Sequence, residues 1–194
     1  MPRIIKGAEG RKAHLVFLDE SGFQLTPVVR RTYAPRGETP IVEAWHRKGR
    51  ISAISAVTVS PVRRRANLDF RLLPDNANAH GEDTVAFLAQ SRGRVKGPMT
   101  ILWDQSKIHQ RSGVVKTYLA KHPEIVTEDF PGYAPDANPD EGVWGWAKSH
   151  RLPNFAPEGT DELRSRLCGE LSALKERPDL LASFIRHAKI PLRL

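Results

Sequence analysis

The stretch Thr100-Ile-Leu-Trp-Asp104-Gln-Ser-Lys-Ile-His109 decides how the chain is read. A short apolar run delivers one carboxylate, Asp104, and small, polar and basic residues follow at once. A strand over residues 100–104 that ends on an acid sets that acid in the cleft outside the carboxyl end of a sheet, where open α/β folds bind ligands. Two other stretches are built to meet it. His14-Leu-Val-Phe-Leu-Asp19 is an unbroken apolar run that also ends on an acid, as expected of a strand buried on both faces. Asn138-Pro-Asp-Glu141-Gly-Val-Trp144 sets acids at the start of a helix, with Pro139 in the first turn, where proline is favoured.

The flanking sequence predicts how these stretches are joined. Residues 1–12 are basic and read as a linker. Ser21-Gly22 ends the first strand. Pro27, Pro35 and Pro40 forbid a long helix in the irregular region 23–50, where Val28 to Tyr33 suits a short strand. Residues 51–59 alternate apolar and small side chains as a second strand. Asn67 to Leu73 folds back as a third, in a hairpin whose turn holds Arg63, Arg64 and Arg65. Helices are expected over Glu82 to Gln90, with a break at residues 92–98, and over Gln110 to Lys121, with a fifth strand over Ile125 to Phe130. Beyond the connector that follows Arg151, a helix starting at Thr160 carries Leu163, Leu167, Leu171 and Leu174 on one face, and a last one covers residues 179–188. This order predicts an α/β fold: a five-stranded mixed sheet with helices on both faces and extra C-terminal helices.

Bulk composition narrows the function. The chain has 194 residues, enough for one domain with a sizeable core, and 40% are hydrophobic, which excludes a disordered chain. A net charge of +8 points to an acidic partner, of which nucleic acid is the commonest. The lone Cys168 excludes a disulfide framework and a cysteine-rich zinc site, and is expected as a small core residue. No apolar run approaches the roughly 18 residues of a membrane span, and no signal-like segment opens the chain. No membrane partner is expected, and the cytoplasm is the expected compartment.

If the first and fourth strands are parallel neighbours, Asp19 and Asp104 meet at one edge of the sheet, and Glu141 enters from the first turn of the helix after the fifth strand. Three carboxylates in one place repel one another unless they are protonated or filled by cations. Oxygen-only ligands select hard ions, Mg²⁺ or Mn²⁺. A pair of such ions activates the attacking oxygen and stabilises the leaving oxygen of an in-line phosphodiester displacement. Each acid also has a plainer reading, as a turn residue, a helix cap or an offset to the helix dipole. The basic residues Arg63, Arg64, Arg65, Arg92, Arg94, Lys96, Lys107, Arg111 and Lys148 are candidate DNA phosphate contacts, Lys107 foremost among them because it lies three residues from Asp104. His109 is placed either to touch a scissile phosphate or to fix the loop by a hydrogen bond.

Four stretches in this order carry a family resemblance: Phe17-Leu-Asp19-Glu-Ser-Gly-Phe23, Arg31-Thr-Tyr-Ala-Pro-Arg-Gly37, Leu102-Trp-Asp104 with Ile108-His109, and Pro131-Gly-Tyr-Ala-Pro-Asp-Ala-Asn-Pro-Asp-Glu141-Gly-Val-Trp144. They resemble the catalytic domain of DDE transposases of the mariner superfamily, in its bacterial insertion-sequence branch. The resemblance covers residues 13–150, with residues 151–194 expected as a helical extension packed on the same domain. It implies a ribonuclease H-like fold and metal-dependent DNA cleavage and strand transfer. Asp19, Asp104 and Glu141 would be the catalytic and metal-binding triad. It also implies DNA partners, both element ends and target, and a homodimer on DNA in which region 23–50 occupies the place of a loop that pairs subunits. The chain departs from the pattern at Gln105, where relatives have Asn, and at Asp140, which stands as an alternative ligand beside Glu141. Relatives begin with helix-turn-helix modules, and there is no room for them before Asp19. A catalytic domain alone is therefore expected, with a separate helix-turn-helix chain as a possible companion. Two other functions are compatible with the residues: a catalytically inactive DNA-binding or assembly remnant, and a stand-alone nuclease of the same fold.

Overall fold

The central strand, β1 (His14–Gln24), is hydrogen-bonded on both sides, antiparallel to β2 (Arg50–Val59) and parallel to β4 (Met99–Trp103). β3 (Ala66–Leu72) closes the hairpin with β2, and β5 (Ile125–Asp129) lies parallel to β4 at the other edge, giving the order β3-β2-β1-β4-β5. The computed structural model describes residues 1–41, 43–44, 48–62, 65–106, 112–130 and 137–192. The expected mixed five-stranded sheet is therefore present, and β1 and β4 are parallel neighbours.

Alternation along β1 sorts its side chains between two cores. Leu15, Phe17 and Phe23 face one side, under α1 (Pro2–Gly10), α4 (Pro139–Trp146), α5 (Thr160–Lys175) and α6 (Pro178–His187). Val16 and Leu18 face the other, under α2 (Gly81–Arg94) and α3 (Gly113–Ala120), whose Phe87, Leu88 and Val115 are fully buried. β2 is buried along nearly its whole length, which explains its run of small and β-branched residues: helices cover it from both sides. Leu163, Leu167, Leu171 and Leu174 of α5 are all buried, as their spacing predicts, each contributing about 1.5–3 kcal/mol of hydrophobic stabilisation.

Several expectations are corrected. The basic N-terminal segment is not a linker: α1 forms there, with Ile4, Ile5 and Ala8 on one face sealing the first core. β1 does not end at Ser21-Gly22, because β2 keeps pairing with it out to Gln24 opposite Arg50. No strand covers residues 28–33; the only ladder contact is a single bridge between Val28 and Pro153. α2 runs on to Arg94, and the chain breaks after it, with Gly97 at a φ of 119°. Cys168 is exposed rather than part of the core, since it follows the buried Leu167 and a helix turns about 100° per residue.

Candidate active site

Asp19 sits in the middle of β1, at a point where its two neighbours behave differently. β2 continues beside it, with Ser55 directly opposite. β4 leaves the ladder with β1 after Leu102, which is level with Phe17, and Asp104 follows just past the end of β4. The end of β4 thus opens a notch against a strand that carries on. Asp104 is exposed in the turn that follows, its Oδ1 accepting the Ser106 N–H at 3.0 Å, a hydrogen bond that shapes the turn. Asp19 and Asp104 have the same parity as Phe17 and Leu102, which belong to the core under the C-terminal helices. Glu20 has the opposite parity.

The third acid arrives on α4. Asn138 caps this helix by accepting the Asp140 N–H at 3.1 Å, and Pro139 opens its first turn. Asp140 and Glu141 then diverge. Asp140 is completely buried and accepts a hydrogen bond from the Ser55 hydroxyl at 2.5 Å. Its other oxygen is buried with no partner among the described residues. Glu141, one position around the helix, is exposed. Of these two adjacent acids, Glu141 is the one that reaches solvent and Asp140 the one in the core.

Burial pushes the Asp19 carboxyl up to about 7; Glu141 adds the next largest effect in that direction, with smaller ones from Glu20 and Asp104, against a backbone N–H of Glu20 that favours the charged form. Burial also holds Asp140 protonated well above the usual carboxylate range, with repulsion from Asp19, Glu141 and Glu20 outweighing part of what the Ser55 bond returns. Among the described residues, Lys148 interacts with Asp19 and Glu141. Lys148 lies in a π-helical turn (Ala147–Arg151) that continues α4, marked by the Leu152 N–H donating to the Ala147 carbonyl. Its Nζ donates to the Ser21 hydroxyl at 2.7 Å and stands 5.1 Å from the Phe23 ring centroid. Burial lowers the Lys148 pKa, while Glu141 and Asp19 work to raise it.

The structure thus brings Asp19, Asp104, Glu141 and Lys148 to one notch. Among the described residues no three His, Cys, Asp or Glu side chains stand close enough to form a ready-made metal cage. The donor set nonetheless fits a hard divalent cation, being oxygen-only and partly desolvated. Lys107, His109, Arg111, Arg63 and Arg64 lie outside the described residues. Arg65 is exposed on the hairpin. Arg92 and Arg94 are committed to structural pairs with Glu124 and Asp69.

Two features escaped the sequence reading. Ser55 looked like one small residue among many in β2; only its register opposite Asp19 and its bond to Asp140 single it out. A hollow lined by Arg30, Arg31, His150 and Arg151 opens beside the turn that holds Lys148. Arg30 is stitched to that turn through Ser149 and Asn154. The arginine-rich composition of region 23–50 was the only sequence signal for it.

The sequence pattern described as DDE superfamily endonuclease matches residues 14–164. No curated protein matches the chain. Among solved structures, a Mos1 mariner paired-end complex with Mn is similar at 13% identity and a TM-score of 0.63, covering 97% of this chain and 58% of that one. The Mos1 strand transfer complex gives 13% identity and a TM-score of 0.62, covering 96% and 58%. The catalytic domain of Mos1 mariner transposase gives 10% identity and a TM-score of 0.51, covering 99% and 91%. The chain spans less than two thirds of the chains in the two DNA complexes. At these identities the likeness shows a shared fold, the ribonuclease H-like arrangement expected from the sequence.

Proposed function

From the premise that this chain belongs to the DDE superfamily of endonucleases, we propose that it is the catalytic domain of a DNA transposase, acting at Asp19, Asp104 and Glu141. The observation that carries this reading is the gathering of Asp19 in the middle of β1, Asp104 just past the end of the parallel β4 and the exposed Glu141 in the first turn of α4, within a chain whose residues 14–164 match the endonuclease pattern. Acids gathered where β4 ends beside the central strand, in a chain of net charge +8, suit a cation-loaded site that takes a polyanion. Asp19, Asp104 and Glu141 would hold Mg²⁺ or Mn²⁺, as a pair of ions. When bound, they supply activation of the attacking oxygen and stabilisation of the leaving oxygen in phosphodiester displacement.

The chain's own residues do the rest. β1 and the end of β4 hold two of the carboxylates at fixed heights, and α4 presents the third. Lys148, tethered by Ser21, offers a positive charge to a phosphate at the rim of the notch, and the hollow of Arg30, Arg31, His150 and Arg151 extends that charge along a DNA backbone. Cleavage at the element's end frees a 3′-hydroxyl, and its attack on target DNA exchanges one phosphodiester for another. Pairing of two copies on DNA is supported by region 23–50, where Val29, Tyr33 and Ile41 are 79%, 103% and 85% exposed. Mos1 transposase forms paired-end complexes with a left transposon end, with Mn and with Mg; an insertion-sequence origin and a companion helix-turn-helix chain belong to the same proposal for this chain.

Gln105, exposed beside Asp104, favours one second reading, an inactive assembly remnant. Mn²⁺-dependent nicking of DNA that disappears in Asp104→Ala supports the active reading, and joining of a 3′-hydroxyl end to target DNA distinguishes a transposase from a stand-alone nuclease. Equal cleavage after replacing Asp19, Asp104 and Glu141 together by Ala would overturn the site.

A further inference from the structure

Asp140 is a costly residue to find where it is. A carboxyl group with no exposure, with one oxygen bonded to Ser55 and the other without a partner among the described residues, disfavours folding unless its bond does something a leucine would not. Its location suggests what that is. Ser55 is the cross-strand neighbour of Asp19, so the two side chains stand side by side on the same face of the sheet. Asp140 comes down onto that face from the first turn of α4, and Glu141 is the next residue around the helix. On the far side of the same turn, Gly142 lies so close to Phe184 of α6 that even a Cβ would come within 2.7 Å of the ring. The first turn of α4 is therefore held from two directions, by a hydrogen bond to the sheet and by an aromatic ring.

We propose that the Ser55–Asp140 hydrogen bond is a clasp that sets the depth and rotation of α4, and so fixes the Glu141 carboxylate relative to Asp19; Asp140 is a positioning residue, not a ligand. The inference rests on the reading of Asp19, Asp104 and Glu141 as metal-binding acids. A helix packed only by apolar contacts can slide or roll by fractions of an ångström at little cost, and a short hydrogen bond at the ligand-bearing turn removes that freedom. Partners that orient metal-binding carboxylates commonly govern affinity as strongly as this.

The test is titration of the metal-free protein with Mn²⁺ alone, reading the loss of the free-ion electron paramagnetic resonance signal, with thermal melting measured in parallel. Asp140→Leu keeps the volume and removes the acceptor; Ser55→Ala removes the donor; Asp140→Asn keeps an acceptor for Ser55. Asp19→Asn and Glu141→Gln serve as controls. We expect Asp140→Leu and Ser55→Ala to weaken Mn²⁺ binding by about tenfold or more, Asp140→Asn to bind close to the wild type, and the Ser55→Ala/Asp140→Leu double variant to be no weaker than Asp140→Leu alone. If Asp140→Leu does not fold, Ser55→Ala decides. Lower melting temperatures with unchanged Mn²⁺ affinity in Asp140→Leu and Ser55→Ala, while the two controls weaken binding, would overturn the clasp and leave the acidic site standing. Unchanged binding in the controls as well would remove the site and the clasp together.

Discussion

The Lys148 ammonium donates a hydrogen bond to the Ser21 hydroxyl at 2.7 Å, two residues along β1 from Asp19. An ammonium has three donors, and this bond uses one while fixing where the charge sits. Lys148 faces the acids, yet a half-buried lysine whose pKa burial lowers is also primed to meet a phosphate.

Replacing Lys148 by Met is therefore expected to weaken DNA binding and to reduce the slope of log Kd against log salt concentration by about one. Circular dichroism should show the fold unchanged. A salt slope equal to that of the wild type would assign Lys148 to the acids alone.

The raised Asp19 pKa makes the metal-free protein sensitive to pH. The folded chain holds this proton up to about pH 7 and the unfolded chain only to 3.8. Stability is then greatest at the acid end of that window and falls as pH rises through it, the full cost of the charged carboxylate being present above about 7. Asp140 acts in the same direction. Melting temperature in EDTA should decline between pH 4 and 7, and less steeply in Asp19→Asn. Mn²⁺ binding below pH 7 should release protons, measurable by calorimetry in buffers of different ionisation enthalpy.

Gly142→Ala tests the ring that presses on α4. The added Cβ meets Cγ and Cβ of Phe184 at 2.7 and 2.8 Å, and neither is the far end of a flexible side chain. Overpacking of this kind costs about 1–3 kcal/mol. Urea denaturation should show that loss, and Gly145→Ala, with nothing within 4 Å of its Cβ, should not.

Cys168 provides a check on how α5 is seated. Being exposed, it should react with a thiol reagent in the native protein at nearly the rate seen in denaturant. Strong protection would mean that the face carrying Leu167 and Leu171 is not the one turned to the sheet.

The elements around the site were largely legible because their signals are local. An unbroken apolar run means a strand covered on both faces, which is how β1 and β4 are built. Asparagine is favoured as a helix cap and proline in the first turn, and α4 begins at Asn138-Pro139. The leucine spacing of α5 specified its buried face. From these, the acids and their order along the chain followed. The N-terminal helix was missed because its three buried residues are diluted by charge and glycine, and it gains its stability by docking.

What no local signal carries is register and burial. Asp140 and Glu141 are adjacent acids in one helical turn, with nearly the same claim to be a ligand in a linear reading. Packing of α4 on β1 and β2 sends one to Ser55 in the core and leaves the other at the notch. The length of β1 past Asp19 depends on β2 continuing to pair with it, and the notch exists because β4 stops pairing with β1 after Leu102. The sequence by itself determined which chemical groups are present, which secondary structures carry them, and that the sheet is mixed. The tertiary structure decided which acid is exposed, which lysine answers the charge and which serine holds the helix, because those outcomes depend on contacts between segments far apart in the chain.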